Sequence, residues 1–160
     1  MRQTAIALMV VASLGAQPKK PADSHVRLIH KLSQILRVTP PTKIEIEVLS
    51  QEDLQNKFRG ETFNTCMAGN PNNFQSCSQY IRNLRTFIYG KWEYEENPQH
   101  FHMLLYEGAG VDVVIHEFLH WWLHHQTDPP DLLNNEATVN LMVNAIISSP
   151  EFHKWLREGS

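Results

Sequence analysis

Val113-Val114-Ile115-His116-Glu117-Phe118-Leu119-His120-Trp121-Trp122 decides how this chain is read. Its centre has the spacing H-E-x-x-H. Residues four apart on a helix lie one turn apart on one face. His116 and His120 can therefore aim their imidazoles at one point about 2 Å from each ring nitrogen, the distance a zinc ion requires. Glu117 sits beside the first of them and can reach a water there without being a ligand, which suits a general base. The flanks are apolar and uncharged, so the helix is expected to be buried on most sides. Two imidazoles and a carboxylate are costly in such a place unless they are paired or bind a metal.

Two histidines and a water leave zinc one protein ligand short. The metzincin spacing would put Gly at position 123 and His at 126, but Leu123 and Gln126 stand there. His124 continues the stripe, but three histidines on one straight helix span two turns, too far to share one ion. A second helix is the better source, and Asn134-Asn135-Glu136-Ala137-Thr138-Val139-Asn140 offers one.

H-E-F-L-H followed by N-E-A-x-x-x-N resembles the gluzincin zinc peptidases, the thermolysin-like clan. The resemblance runs from about residue 111 to 140. It implies His116, His120 and Glu136 as zinc ligands and Glu117 as the catalytic base. The family usually has Asp four residues after the ligand Glu, orienting the first His. Asn140 stands there, with a carbonyl to accept an imidazole N–H but no charge. The implied fold is α+β: a single compact zincin-like domain, with a small mixed or antiparallel sheet packed on the active-site helix and the ligand helix. An antiparallel edge strand is implied just before the active-site helix. Residues 101–106 or 92–95 are the expected place for a peptide substrate to add as a further strand. Gly108 and Gly110 are expected to let backbone approach the metal closely.

The chain has 160 residues, 42 % apolar and 19 % charged, enough for one domain with a core. The net charge of −3 comes without a basic block, which argues against nucleic acid and anionic membranes as partners. Residues 1–15 open with Arg2 and continue as an apolar run too short to span a bilayer. Their small residues Ser13 and Gly15 fit a secretory signal cut after Gly15 or Ala16. A linker follows over residues 16–23 and the catalytic domain over 24–160. The expected protein is secreted or periplasmic, monomeric, and not inserted in a membrane once the signal is cleaved. Cys66 and Cys77, the two cysteines, can then close a disulfide.

Spacing predicts helices over residues 24–38, 51–58, 78–85, 132–147 and from about 150 to 157. It predicts strands over 43–49, 86–89, 91–95 and 101–106. Residues 61–76 have no clear period and read as a long loop around the disulfide, and 127–131 read as a rigid turn. Asp112 is the expected N-cap of the active-site helix, and Ser148 with Glu151 a capping box for the last one. His124 and His125 read as surface or supporting groups, and Trp121 and Trp122 as core. His153 and Tyr106 are the candidate donors to a developing oxyanion.

The function these readings imply is a zinc-dependent peptidase hydrolysing peptide bonds through a metal-activated water, with Glu117 as general base and a peptide or protein as substrate. The alternative is a zinc-binding structural module of the same fold without catalysis. A purely structural site is normally closed by four protein ligands, and only three good ones are found.

Overall fold

The structure, a computed structural model, describes residues 23–69, 71–83, 88–126 and 133–158. The expected signal segment, all but Asp23 of the linker, and the turn over 127–131 lie outside these residues. In chain order the elements are α1 (Asp23–Leu36), β1 (Lys43–Leu49), α2 (Gln51–Gly69), α3 (Phe74–Asn83), β2 (Gly90–Glu93), β3 (His100–Tyr106), α4 (Val111–Gln126), α5 (Glu136–Ile147) and α6 (Pro150–Arg157). This is a mixed α+β fold in one compact domain.

The three strands form one sheet in the order β1-β3-β2. β1 runs parallel to β3, with Ile44 opposite Phe101 and Ile46 opposite Met103. β2 runs antiparallel to β3, with Gly90 opposite Leu105 and Trp92 opposite Met103. The strand before α4 is thus the central one, not an edge. Its sequence says why: His100, Phe101, Met103, Leu104 and Leu105 are all buried, more than a half-covered edge strand would need. Among the described residues, the edge strand near α4 is β2.

Side chains alternate across the sheet. Phe101, Met103 and Leu105 point to the face covered by α4, where Phe101 packs edge-on against Phe118 and Trp121. α1 adds Leu28, Ile29 and Leu32 to this core, α5 adds Val139, Val143 and Ile146, and α6 adds Phe152. Burying a side chain such as Phe118 or Leu119 contributes roughly 1.5–3 kcal/mol. The other face is more polar, although Leu104 is buried on it. There His100 reaches Glu45 through Nε2 at 2.8 Å and Glu95 through Nδ1 at 3.4 Å, joining the central strand to chain on both sides.

Several boundaries differ from expectation. Residues 61–69 are helical and continue α2, so the segment read as a loop is mostly a helix and a short turn leading into α3. Its periodicity is faint because the far half of α2 faces little of the core; only Leu54 and Gln55 are buried. The Cys66–Cys77 disulfide forms, and it staples α2 to α3. Thr86 and Phe87 of the expected strand 86–89 lie outside the described residues, while Ile88 and Tyr89 precede β2. The ligand helix starts at Glu136, because the Asn135 side chain accepts from the Thr138 N–H and caps it there. Ser149, not Ser148, caps α6 by accepting from the Phe152 N–H, and Ser148 closes α5. Asp112 falls inside the first turn of α4 instead of capping it.

Candidate metal centre

α4 places its imidazoles by the opposition of its two faces. Val114, Ile115, Phe118 and Leu119 bury against the core, which leaves His116, Glu117 and His120 along the margin facing β2 and α5. His116 and His120 bring their Nε2 atoms to 3.0 Å from each other. Glu136, the first residue of α5, sends Oε2 to 3.3 Å from His116 Nε2 and Oε1 to 3.3 Å from His120 Nε2. The Glu136 side chain is 74 % exposed, yet its two carboxylate oxygens reach both rings.

These three residues form a group that could hold a metal ion. Two donors each about 2.1 Å from a tetrahedral ion stand about 3.4 Å apart. The observed separations of 3.0 and 3.3 Å fit that spacing.

The outer partners strengthen the case. The Asn134 Oδ1 lies 2.5 Å from His120 Nδ1. An amide oxygen only accepts, so Nδ1 carries the proton and Nε2 presents a lone pair. Asn140 accepts a hydrogen bond from His116 in the same sense. Two imidazole lone pairs and a carboxylate then face one another with no proton among them, an arrangement that favours a cation. Burial, and then the neighbouring His120, hold the His116 pKa below its ordinary value, so the ring stays neutral and ready to ligate.

Glu117 stands just off this group. The Trp92 N–H of β2 donates to its Oε2 at 2.6 Å. Part of the residue opens to the cleft, but protein atoms crowd its carboxyl on most sides. That burial raises its pKa, against the opposing pull of the Trp92 N–H. A carboxylate whose charge is disfavoured takes a proton more readily, which is what a general base needs. Gly90 makes this approach possible: a Cβ there would lie 2.5 Å from Val113 Cγ1 and 3.3 Å from Glu117 Cγ. Gly108 and Gly110 do not have that role, since their missing side chains would face Tyr106 and Asp112.

The group opens into a cleft of about 490 Å³ between β2, α4, α5 and α2. His116, Glu117, His120, Glu136 and Asn140 all line it. Neither expected oxyanion donor does. His153 is exposed on α6 because Phe152, its neighbour, is the residue that turns inward. Tyr106 lies on the sheet face away from α4, where its ring meets Tyr89. His124 and His125 are half-buried and pack around Trp92, and Trp121 is core, its Nε1 donating to the His100 carbonyl. Sequence reasoning missed Asn134 and the Trp92 backbone. The signal for Asn134 was its place two residues before Glu136. A backbone donor leaves no signal in residue type.

Compared with known protein families, with curated proteins and with solved structures, the chain matches none of them.

Proposed function

We propose that the protein is a zinc-dependent peptidase whose metal is held by His116, His120 and Glu136. The observation that carries this reading is the pairing of an open three-residue donor group with a separate, buried carboxylate beside it. A structural site would be closed by a fourth protein ligand and would have no use for Glu117. Bound zinc supplies a Lewis acid that activates water and polarises a carbonyl. Glu117 takes the proton of the attacking water and returns it to the leaving amine. The Trp92 N–H keeps the Glu117 carboxyl oriented through both transfers. Asn134 and Asn140 fix the two imidazoles so that neither rotates away when a substrate enters.

The edge position of β2 among the described residues supports a peptide as the substrate. Tyr106 N–H donates to the Tyr89 carbonyl, so residues 89, 91 and 93 turn their backbone groups toward β3. Gly90 turns its N–H and carbonyl outward and Trp92 its carbonyl, while Glu117 holds the Trp92 N–H; an extended peptide can pair with that edge through the remaining groups, beside the donor group. Export of the protein fits the signal-like residues 1–15 and the disulfide. No helix among the described residues is long and apolar enough to cross a membrane.

The test uses residues 16–160 on a mixed peptide library, with and without chelator, beside Glu117→Gln. Hydrolysis should stop with chelator, return with zinc, and fall by about 10²–10⁴ in the variant, which should still bind zinc. Hydrolysis indifferent to chelator or to Glu117→Gln refutes the proposal.

A further inference from the structure

The two faces of the sheet divide the cleft. The rings of Tyr89 and Tyr106 lie 6.1 Å apart, which puts Tyr89 on the face away from α4. Gly90 belongs to the opposite face, since its missing side chain would meet Val113 and Glu117 of α4. Lys91 returns to the face of Tyr89, and there its Nζ pairs with Glu61 of α2 and with Glu93. α2 therefore covers this face at the β2 edge. Gln51 fastens the start of α2 there as well, its Nε2 donating to the Ile88 carbonyl at 3.0 Å. Phe58, three residues before Glu61, lines the cleft together with Tyr89. Tyr89 is 52 % exposed, a large ring left open to solvent at the cleft wall.

A peptide paired with the outer edge of β2 alternates its side chains between the same two faces. A residue directed toward α4 and α5 meets Val113 and Val143. Its neighbour, directed the other way, meets Phe58 and Tyr89. We propose that Phe58 and Tyr89 form a specificity subsite for a bulky apolar side chain, aromatic above all, on the face opposite the catalytic helix. The proposal rests on the peptidase reading above. Lys91 does not draw an acidic side chain there, because Glu61 and Glu93 already pair with it. Two rings lining the same part of the cleft favour a third ring over a small side chain through buried area and edge-to-face contact.

The experiment uses zinc-loaded protein and peptides that carry a single Phe moved one position at a time along an otherwise Ala/Gly sequence. The intact protein should prefer one Phe position over its Ala counterpart by about tenfold or more in kcat/KM. Phe58→Ala should abolish that preference with zinc content unchanged, and Phe58→Leu should restore part of it. Tyr89→Ala, on an exposed side chain, gives the same reading should Phe58→Ala fail to fold. Binding of the same peptides to the zinc-loaded Glu117→Gln variant, followed by fluorescence anisotropy, separates the two ideas. Absent hydrolysis with a binding preference lost in Phe58→Ala refutes the peptidase and keeps the subsite. A preference that survives both Phe58→Ala and Tyr89→Ala, or no preference for Phe at any position, overturns the subsite.

Discussion

Replacing Asn134 by Ala removes the acceptor 2.5 Å from His120 Nδ1 and nothing that touches the ion itself. The imidazole is then free to rotate about χ2 and to place its proton on Nε2, the nitrogen that must present a lone pair. Loss of such an outer partner costs about 10- to 100-fold in metal affinity, or about 1.4–2.7 kcal/mol. Asn140 holds His116 in the same way, so Asn140→Ala should cost a similar factor. The double variant should lose roughly the product, about 10²–10⁴-fold, if the two rings are held independently. Asn134→Asp should act in the opposite direction, since a charged acceptor raises the basicity of the ring and adds a negative charge near the cation. The assay is competition of the metal-free protein against a chromophoric zinc chelator at fixed pH. Asn144→Ala, an exposed change on the same helix, serves as control. A folded Asn134→Ala protein that binds zinc within about twofold of the parent would show that the orientation of His120 is set elsewhere, and the geometric reasoning would fall.

Two further outcomes follow from the same region. Burial raises the Glu117 pKa, so the folded, metal-free state binds more protons than the unfolded state between the ordinary carboxylate range and the raised value. Stability should therefore fall as pH rises through that window, and Glu117→Gln should remove the fall. In urea titrations of the metal-free proteins the variant should be the more stable at pH 7, with the gap closing below about pH 4. A parent as stable as the variant at pH 7 contradicts this. Gly90→Ala would ordinarily stiffen a strand and stabilise it, but here the added carbon meets Val113 and Glu117. We expect a loss of about 1–3 kcal/mol in urea and a drop in kcat, with zinc still bound; an increase in stability would mean that α4 moves aside freely.

The candidate metal centre was legible because its parts are close in sequence and differ chemically from their surroundings. His116 and His120 are set by helical spacing alone, and Glu136 stood out by its place one helix later. Asn140 could be assigned because it follows Glu136 by one turn. Features that depend on distant pairing were not legible. The central position of β3 depends on residues 43–49 lying beside it, and no local pattern encodes a neighbour 57 residues away. The helical character of residues 61–69 was hidden because one disulfide and one neighbouring helix hold them, and not a deep apolar stripe. The oxyanion donors failed for a simple reason: the faces of α6 and β3 are chosen by Phe152 and by the core strand residues, and both turn His153 and Tyr106 away.

The parallel joining of β1 to β3 has a consequence for how the molecule matures. Lys43 must find His100 across most of the chain's middle, and such remote encounters are slow to form. The imidazoles and Glu136, by contrast, lie within 21 residues of one another, from 116 to 136. The three donors can thus come together while the sheet is still open, before the Trp92 N–H reaches Glu117. On the proposed reading, the donor group can then assemble before the neighbouring carboxyl is held in place.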